Sequence, residues 1–285
     1  MTALTGTGAE SGIPTAAATR RPHTGKVTQT RVLTSEWIKF RSLRSSYWSL
    51  LVGCGAMIAL GLLFSLVITK KWDTMPQVRR REFDAITVPL RGYFLAQLAV
   101  GVLGVMVVTG EYSTGMIRAS LSAVPRRLPV LWAKAAVFAA AVWITTTVTA
   151  FACFFIGQTF FGSKHIQADL STPGALRIVF GTGLYLTVVG LLGVGLGTII
   201  RSTAGAIAAL FATLLVLPVL GEVLNFTSFG DKVNPYLPSN AGQALLVVHT
   251  EASGQMRPWP GFALFVGYAV ATFVVAAYLM KKRDA

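Results

Sequence analysis

Acidic side chains are scarce in this chain: eleven Asp and Glu stand against twenty-five Lys and Arg in 285 residues. Charged residues of both signs make up only 13%, about half the share of a soluble domain, so a water-facing globular protein is excluded. There are two cysteines, Cys54 and Cys153, and three histidines, His23, His165 and His249, far apart in sequence. No disulfide framework, His/Cys cluster or H-E-x-x-H pair can be built from them. Cys54 is placed near one end of the first apolar run and Cys153 near the opposite end of the third, so the two thiols are not expected to meet. No G-x-x-x-x-G-K-[ST] loop is present to cradle phosphates, and no nucleophile–base pair is recognisable. The chain is therefore not expected to be an enzyme or to bind a cofactor of its own.

What the chain has is long hydrophobic runs. Six of them, Trp48–Ile68, Gly92–Thr109, Ala135–Phe161, Ile178–Ile200, Ser202–Gly221 and Pro258–Met280, contain no charged residue. About 20 residues at 1.5 Å rise cross the roughly 30 Å hydrocarbon core. The runs are continuously apolar without period-two alternation, so helices rather than a barrel are expected. The fold class is all-α, a polytopic membrane protein with six transmembrane helices preceded by an interfacial amphipathic helix. Residues 1–27, rich in Ala, Thr and Gly, read as a disordered tail without a signal-peptide core. Residues 28–285 form one membrane domain.

The net charge of +14 does not point to nucleic acid, because the basic residues sit at the ends of the apolar runs, where headgroups and topology signals lie. Fifteen of the twenty-five Lys and Arg fall on the side of the termini, which favours termini in the cytoplasm. The first loop on the other side nevertheless carries six: Lys70, Lys71, Arg79, Arg80, Arg81 and Arg91. Contact with outer-leaflet headgroups is the one physical reason for that density.

Three segments carry more information. Leu33–Trp48 (LTSEWIKFRSLRSSYW) reads as the interfacial helix. Leu33, Trp37, Phe40 and Tyr47 recur near helical spacing, with Glu36, Lys39, Arg41 and Arg44 elsewhere. Thr34 or Ser35 is the expected cap, with Glu36 complementing the helix dipole. Gly110–Arg127 (GEYSTGMIRASLSAVPRR) joins the second and third runs. Glu111 and Tyr112 mark its membrane boundary, a short helix can start at Ser113, Pro125 ends it, and Arg126 and Arg127 anchor it. In the fourth run, Gly193 and Gly197 give a G-x-x-x-G spacing for close helix packing. At the end of the fifth, Pro218 breaks the helix and Glu222 is the lone acid at a span end, a candidate gate or, in a proton-coupled carrier, the coupling carboxylate.

Together, SEWIKFRSLRSSYW before the first run, GEYSTGMIRASLSAVPRR after the second, and LGTIIRSTAGAIA across the fourth and fifth resemble the type-2 permease subunits of ATP-binding-cassette (ABC) transporters, most of all those of actinobacteria. The resemblance covers the chain from about residue 28 to its end. It implies an elbow helix formed by Glu36, Trp37, Lys39, Phe40, Arg41 and Arg44, and an ATPase-coupling segment containing Glu111, Tyr112, Gly115 and Arg118. It also implies a short re-entrant or surface helix after the fifth span, placed at Ser239–His249. Two permease copies, identical or different, would sit on two ATPase subunits in the cytoplasmic membrane, with ATP and Mg bound by those partners. The apolar walls favour a lipophilic or amphipathic exported substrate. The alternatives are the proton-coupled carrier, a non-transporting membrane partner of an ATPase, and an intramembrane lipid enzyme. The last lacks clustered polar residues.

Overall fold

A computed structural model describes residues 29–42, 44–115, 127–224, 228–248 and 256–282. The predicted tail 1–27, Arg118, Arg126, His23 and His249 lie outside these residues. The described chain is all-helical. Helix α1 covers Gln29–Ser42 and α2 covers Arg44–Lys71; a short α3, Gln77–Arg81, follows. The long helices are α4 (Tyr93–Ser113), α5 (Arg127–Gly162) and α6 (Ala175–Ile200). The fifth crossing is composite: α7 (Thr203–Phe211), a π-turn over Ala212–Val216, and α8 (Leu217–Leu224). Short helices α9 (Ser228–Val233) and α10 (Pro238–Gln243) precede the last crossing, α11 (Pro258–Lys282).

Six helices are thus long and apolar enough to cross a membrane, and they coincide with the six runs. The chain is a multi-pass membrane protein. At 36 residues α5 is about 54 Å long, so it extends well beyond a hydrocarbon core.

Helix α6 is the centre of the bundle. Of its apolar window 72% is buried, against 17% for the fifth crossing and 22% for the first and last. It packs on α4, α5, α7 and α11. The α4–α6 contact is close because backbone meets backbone. A Cβ on Gly104 would stand 2.1 Å from the Gly190 carbonyl oxygen, and one on Gly193 2.4 Å from that of Gly101. A Cβ on Gly197 would stand 3.1 Å from the Val105 carbonyl oxygen in the same seam. In lipid, where apolar burial gives helices no net drive to associate, such close packing holds them together.

Several buried hydroxyls inside the bundle are satisfied within their own helix. Thr109, Thr146, Thr182, Thr187 and Thr198 each donate to the carbonyl four residues back. Tyr185, fully buried on α6, donates to Gln97 Oε1 on α4 at 2.7 Å.

The two cysteines are closer than expected. Cys153 on α5 lies against Gly61 of α2, and Cys54 of α2 lies beside Thr149, about one turn from Cys153 on α5. Both thiols are free. Measuring each run from its own end puts the thiols at opposite depths, whereas the first turns of α5 pack on α1, before α2 begins, and this brings Cys54 level with Thr149.

Candidate functional site

The end of the bundle that holds α1 is built around charge. Helix α1 lies on α5, with Val32 buried against Val130 and Ala133. That contact carries the helix back to Gln29, so Thr34 and Ser35 are interior residues and not caps. Thr34 is exposed and donates to the Thr30 carbonyl at 2.9 Å. The face that α1 turns to the bundle is set by a carboxylate. Trp37 is 47% exposed and Ile38 61%, while Glu36 is 4% exposed. A search for apolar periodicity passes over a buried carboxylate; here ionic partners rather than apolar contacts draw that face inward.

Those partners come from three helices. Lys134 Nζ, on the second turn of α5, donates to Glu36 Oε2 at 2.6 Å and to Glu111 Oε1 at 2.8 Å. Lys39 Nζ donates to Glu36 Oε1 at 2.8 Å and lies 3.5 Å from Glu111 Oε1. Glu36, Glu111 and Lys134 are all buried, and Lys39 is half-buried. Two carboxylates and two ammoniums make a set with no formal net charge, the condition under which burial is tolerable. Glu111 Oε2 is buried and finds no hydrogen-bond partner among the described residues. A cavity of about 20 Å³ lined by Glu36, Lys39, Phe40, Glu111 and Lys134 adjoins it, large enough for one water.

Burial pushes the Glu36 carboxyl up, but Lys134 and Lys39 outweigh it and hold the group below its ordinary value. Burial likewise pushes Lys39 down, and Glu36 and Glu111 more than offset this and raise it. Both shifts favour the charged forms.

A second contact joins the same end. Arg201 terminates α6 in the left-handed region, φ 59°, its N–H on the Gly197 carbonyl. Its guanidinium stacks over the Tyr112 ring at 5.2 Å. Two residues on, Thr203 Oγ1 meets Thr109 Oγ1 at 2.9 Å, while Ser202 Oγ accepts from Gly205 N–H and starts α7. The Arg201–Tyr112 stack ties the α6–α7 corner to the last turn of α4.

Glu111 and Tyr112 therefore belong to α4 itself, which ends at Ser113; Gly115, with φ +71°, turns the chain out of the helix. Arg41 is exposed on α1, Arg44 opens α2, and Arg127 opens α5. Pro218 and Glu222 are not part of this cluster. The N–H of Leu217 bonds to Ala212 O, five residues back, just before Pro218, which has no N–H to give. Glu222 is exposed on α8 beside exposed Val219 and Val223.

Lys134, Arg201 and Thr203 were not singled out as site residues. The readable signal was scarcity. With eleven acids in the chain, a carboxylate just beyond an apolar run, as at Glu111, calls for a cation at the same depth, and Lys134 immediately precedes the next run.

The opposite end is held differently. The Ser239–His249 prediction falls on α10 and the 3-10 turn Ala244–Leu246, both buried under α11 up to Leu246. Tyr93 donates to Gln243 Oε1, and Gln243 donates to Ser239 Oγ. Arg177 donates to the carbonyls of Leu245 and Val247.

No family model and no curated protein matches the chain. Fold and site define a multi-pass α-helical membrane protein whose first helix is ion-paired to the two helices flanking one connecting segment.

Proposed function

We propose that this chain is the membrane-spanning subunit of an ABC exporter, working in the cytoplasmic membrane with both termini inside. One observation carries the reading. The three stretches that resemble type-2 permeases meet at one end of the bundle: Glu36 and Lys39 from the first, Glu111 and Tyr112 from the second, and Arg201 and Thr203 from the third.

Glu111 and Lys134 stand on either side of the connection between α4 and α5, and Glu36 binds both through Lys134 and Lys39. A push on that connection moves α1, α4 and α5 together. A nucleotide-driven ATPase pair below would supply the push, with ATP and Mg held there. Two permease copies would then alternate between inward- and outward-facing states, which must differ in substrate affinity for transport to have a direction. The apolar walls suit a lipophilic or amphipathic substrate.

The test is affinity purification of the full chain from gently solubilised native membranes. An ATPase should co-purify, and its association should disappear when residues 116–126 are scrambled. Absence of any ATPase, with other membrane complexes preserved, overturns the proposal. In the reconstituted pair, Glu111→Ala should leave ATP hydrolysis running while transport stops; undiminished transport would remove Glu111 from the coupling path.

A further inference from the structure

The basic loop on the side away from the charge cluster is folded, and its cations fall into two groups. Arg80 is used internally: its guanidinium donates to the carbonyls of Asp73 and Met75 and stacks over Trp72 at 5.4 Å. Trp72 packs edge-on against Phe83, and Phe83 against Phe161 of α5. Asp73 is taken by Lys164. Lys71, Arg79 and Arg91, by contrast, are exposed and make no ion pair among the described residues.

These three cations surround one groove. A cavity of about 370 Å³ is lined by Lys71, Arg79 and Arg91, by Glu82 and Asp84, and by an apolar floor that includes Phe64 and Val67. Phe64 and Val67 are 36% and 42% exposed on the outer face of α2, the face that meets acyl chains. The Arg91 guanidinium lies over the Phe64 ring at 6.0 Å. Phe64 is seven residues short of Lys71, about 10 Å along the helix axis. A permanent cation thus sits over a lipid-facing ring, below the level of the loop lysine. A second cavity of about 300 Å³ shares Asp84 and Arg91 and continues over Tyr93, Phe94 and Gln243.

We propose that this groove binds a phospholipid of the adjoining leaflet, one whose headgroup carries a primary amine. The phosphodiester lies against Arg91 and Arg79, the ammonium against Glu82 and Asp84, and the acyl chains run down Phe64 and Val67. A guanidinium at leaflet depth recruits anionic oxygens, and its planar fork suits a phosphate. Glu82 and Asp84 select against a headgroup that is only anionic. Asp84 already accepts the Ile86 N–H through Oδ1, so its second oxygen is the one offered to the amine. The site is independent of the transport reading.

The experiment is native mass spectrometry of the full chain in non-ionic detergent with three probes: dioleoyl phosphatidylethanolamine, dioleoyl phosphatidylglycerol and water-soluble O-phosphoethanolamine. Phosphatidylethanolamine should bind most tightly. Arg91→Gln and Arg79→Gln should each weaken it about tenfold, while Arg81→Gln, outside the groove, should not. Glu82→Gln should narrow the preference over phosphatidylglycerol. Should the Arg91 variant fail to insert, Arg79→Gln on the exposed α3 reads the same contact. Equal losses for Arg79→Gln and Arg81→Gln, equal binding of the two lipids, or binding of the tail-free phosphoethanolamine as tight as the lipid would each overturn the proposal.

Discussion

The two ends of the bundle use charged residues for opposite purposes. At one end Glu36, Glu111 and Lys134 are buried and paired across three helices, with Lys39 half-buried beside them. At the other, Lys71 at the end of α2, Arg79 on α3 and Arg91 ahead of α4 project around a connection whose shape is kept by carbonyl acceptors and aromatic edges. Dielectric surroundings make the difference. A buried ion pair is held strongly but fails when one member is removed, whereas an exposed charge contributes little to stability and remains available to a ligand. The first end is a joint, the second a surface.

The largest expected effect comes from breaking the joint. Lys134→Met leaves two buried carboxylates with Lys39 alone and should destabilise the protein by about 3–5 kcal/mol, read as a lowered thermal midpoint in detergent. Adding Glu111→Gln restores neutrality and should recover much of that loss; a double variant no more stable than the single one would mean that charge balance is not what holds α4 to α5.

Acid should act next. The Glu36 carboxyl is held below its ordinary value of 4.5, so its contribution is complete above that value and is lost as pH falls through the folded-state value. Lys39 is raised above 10.5; its contribution is complete below that value and disappears only as pH rises through its folded-state one. The thermal midpoint should therefore be insensitive to these two groups from about pH 5 to pH 10 and should drop in more acid solution. Glu36→Gln should flatten the acid limb.

The smallest effect belongs to the other end. The Lys164–Asp73 pair is solvent-exposed, so Lys164→Gln should change stability by about 0–1 kcal/mol. A loss approaching that of Lys134→Met would erase the contrast between the two ends.

The six crossings were legible because each is an unbroken apolar run and lipid leaves a backbone in such a run little alternative to a helix. Which crossing is central was not. Helix α6 has a hydropathy of 2.0, lower than that of the first crossing, 2.5, yet is far more buried. Hydropathy reports compatibility with lipid, and only the glycine spacing at Gly193 and Gly197 hinted at helix contact. The joint was half legible. Glu36, Lys39 and Glu111 were picked out for the segments they occupy, but Lys134, the cation that Glu36 and Glu111 share, lies 98 residues from Glu36, and no local pattern connects them. Apolar spacing on α1 does not reveal that Glu36 turns toward the bundle, while Trp37 is exposed.

The central position of α6 bears on how the chain is made. Synthesis delivers α4 and α5 first, so α6 enters the bilayer with neighbours for two of its sides. Another side, where a Cβ on Gly195 would come 2.4 Å from Thr272 Oγ1 of α11, stays open to lipid until the closing 25-residue helix arrives. A chain that stops short of Pro258 would carry an uncovered glycine groove along its most central helix. That groove is a recognisable mark of an unfinished molecule, and the C-terminal helix is the piece that removes it.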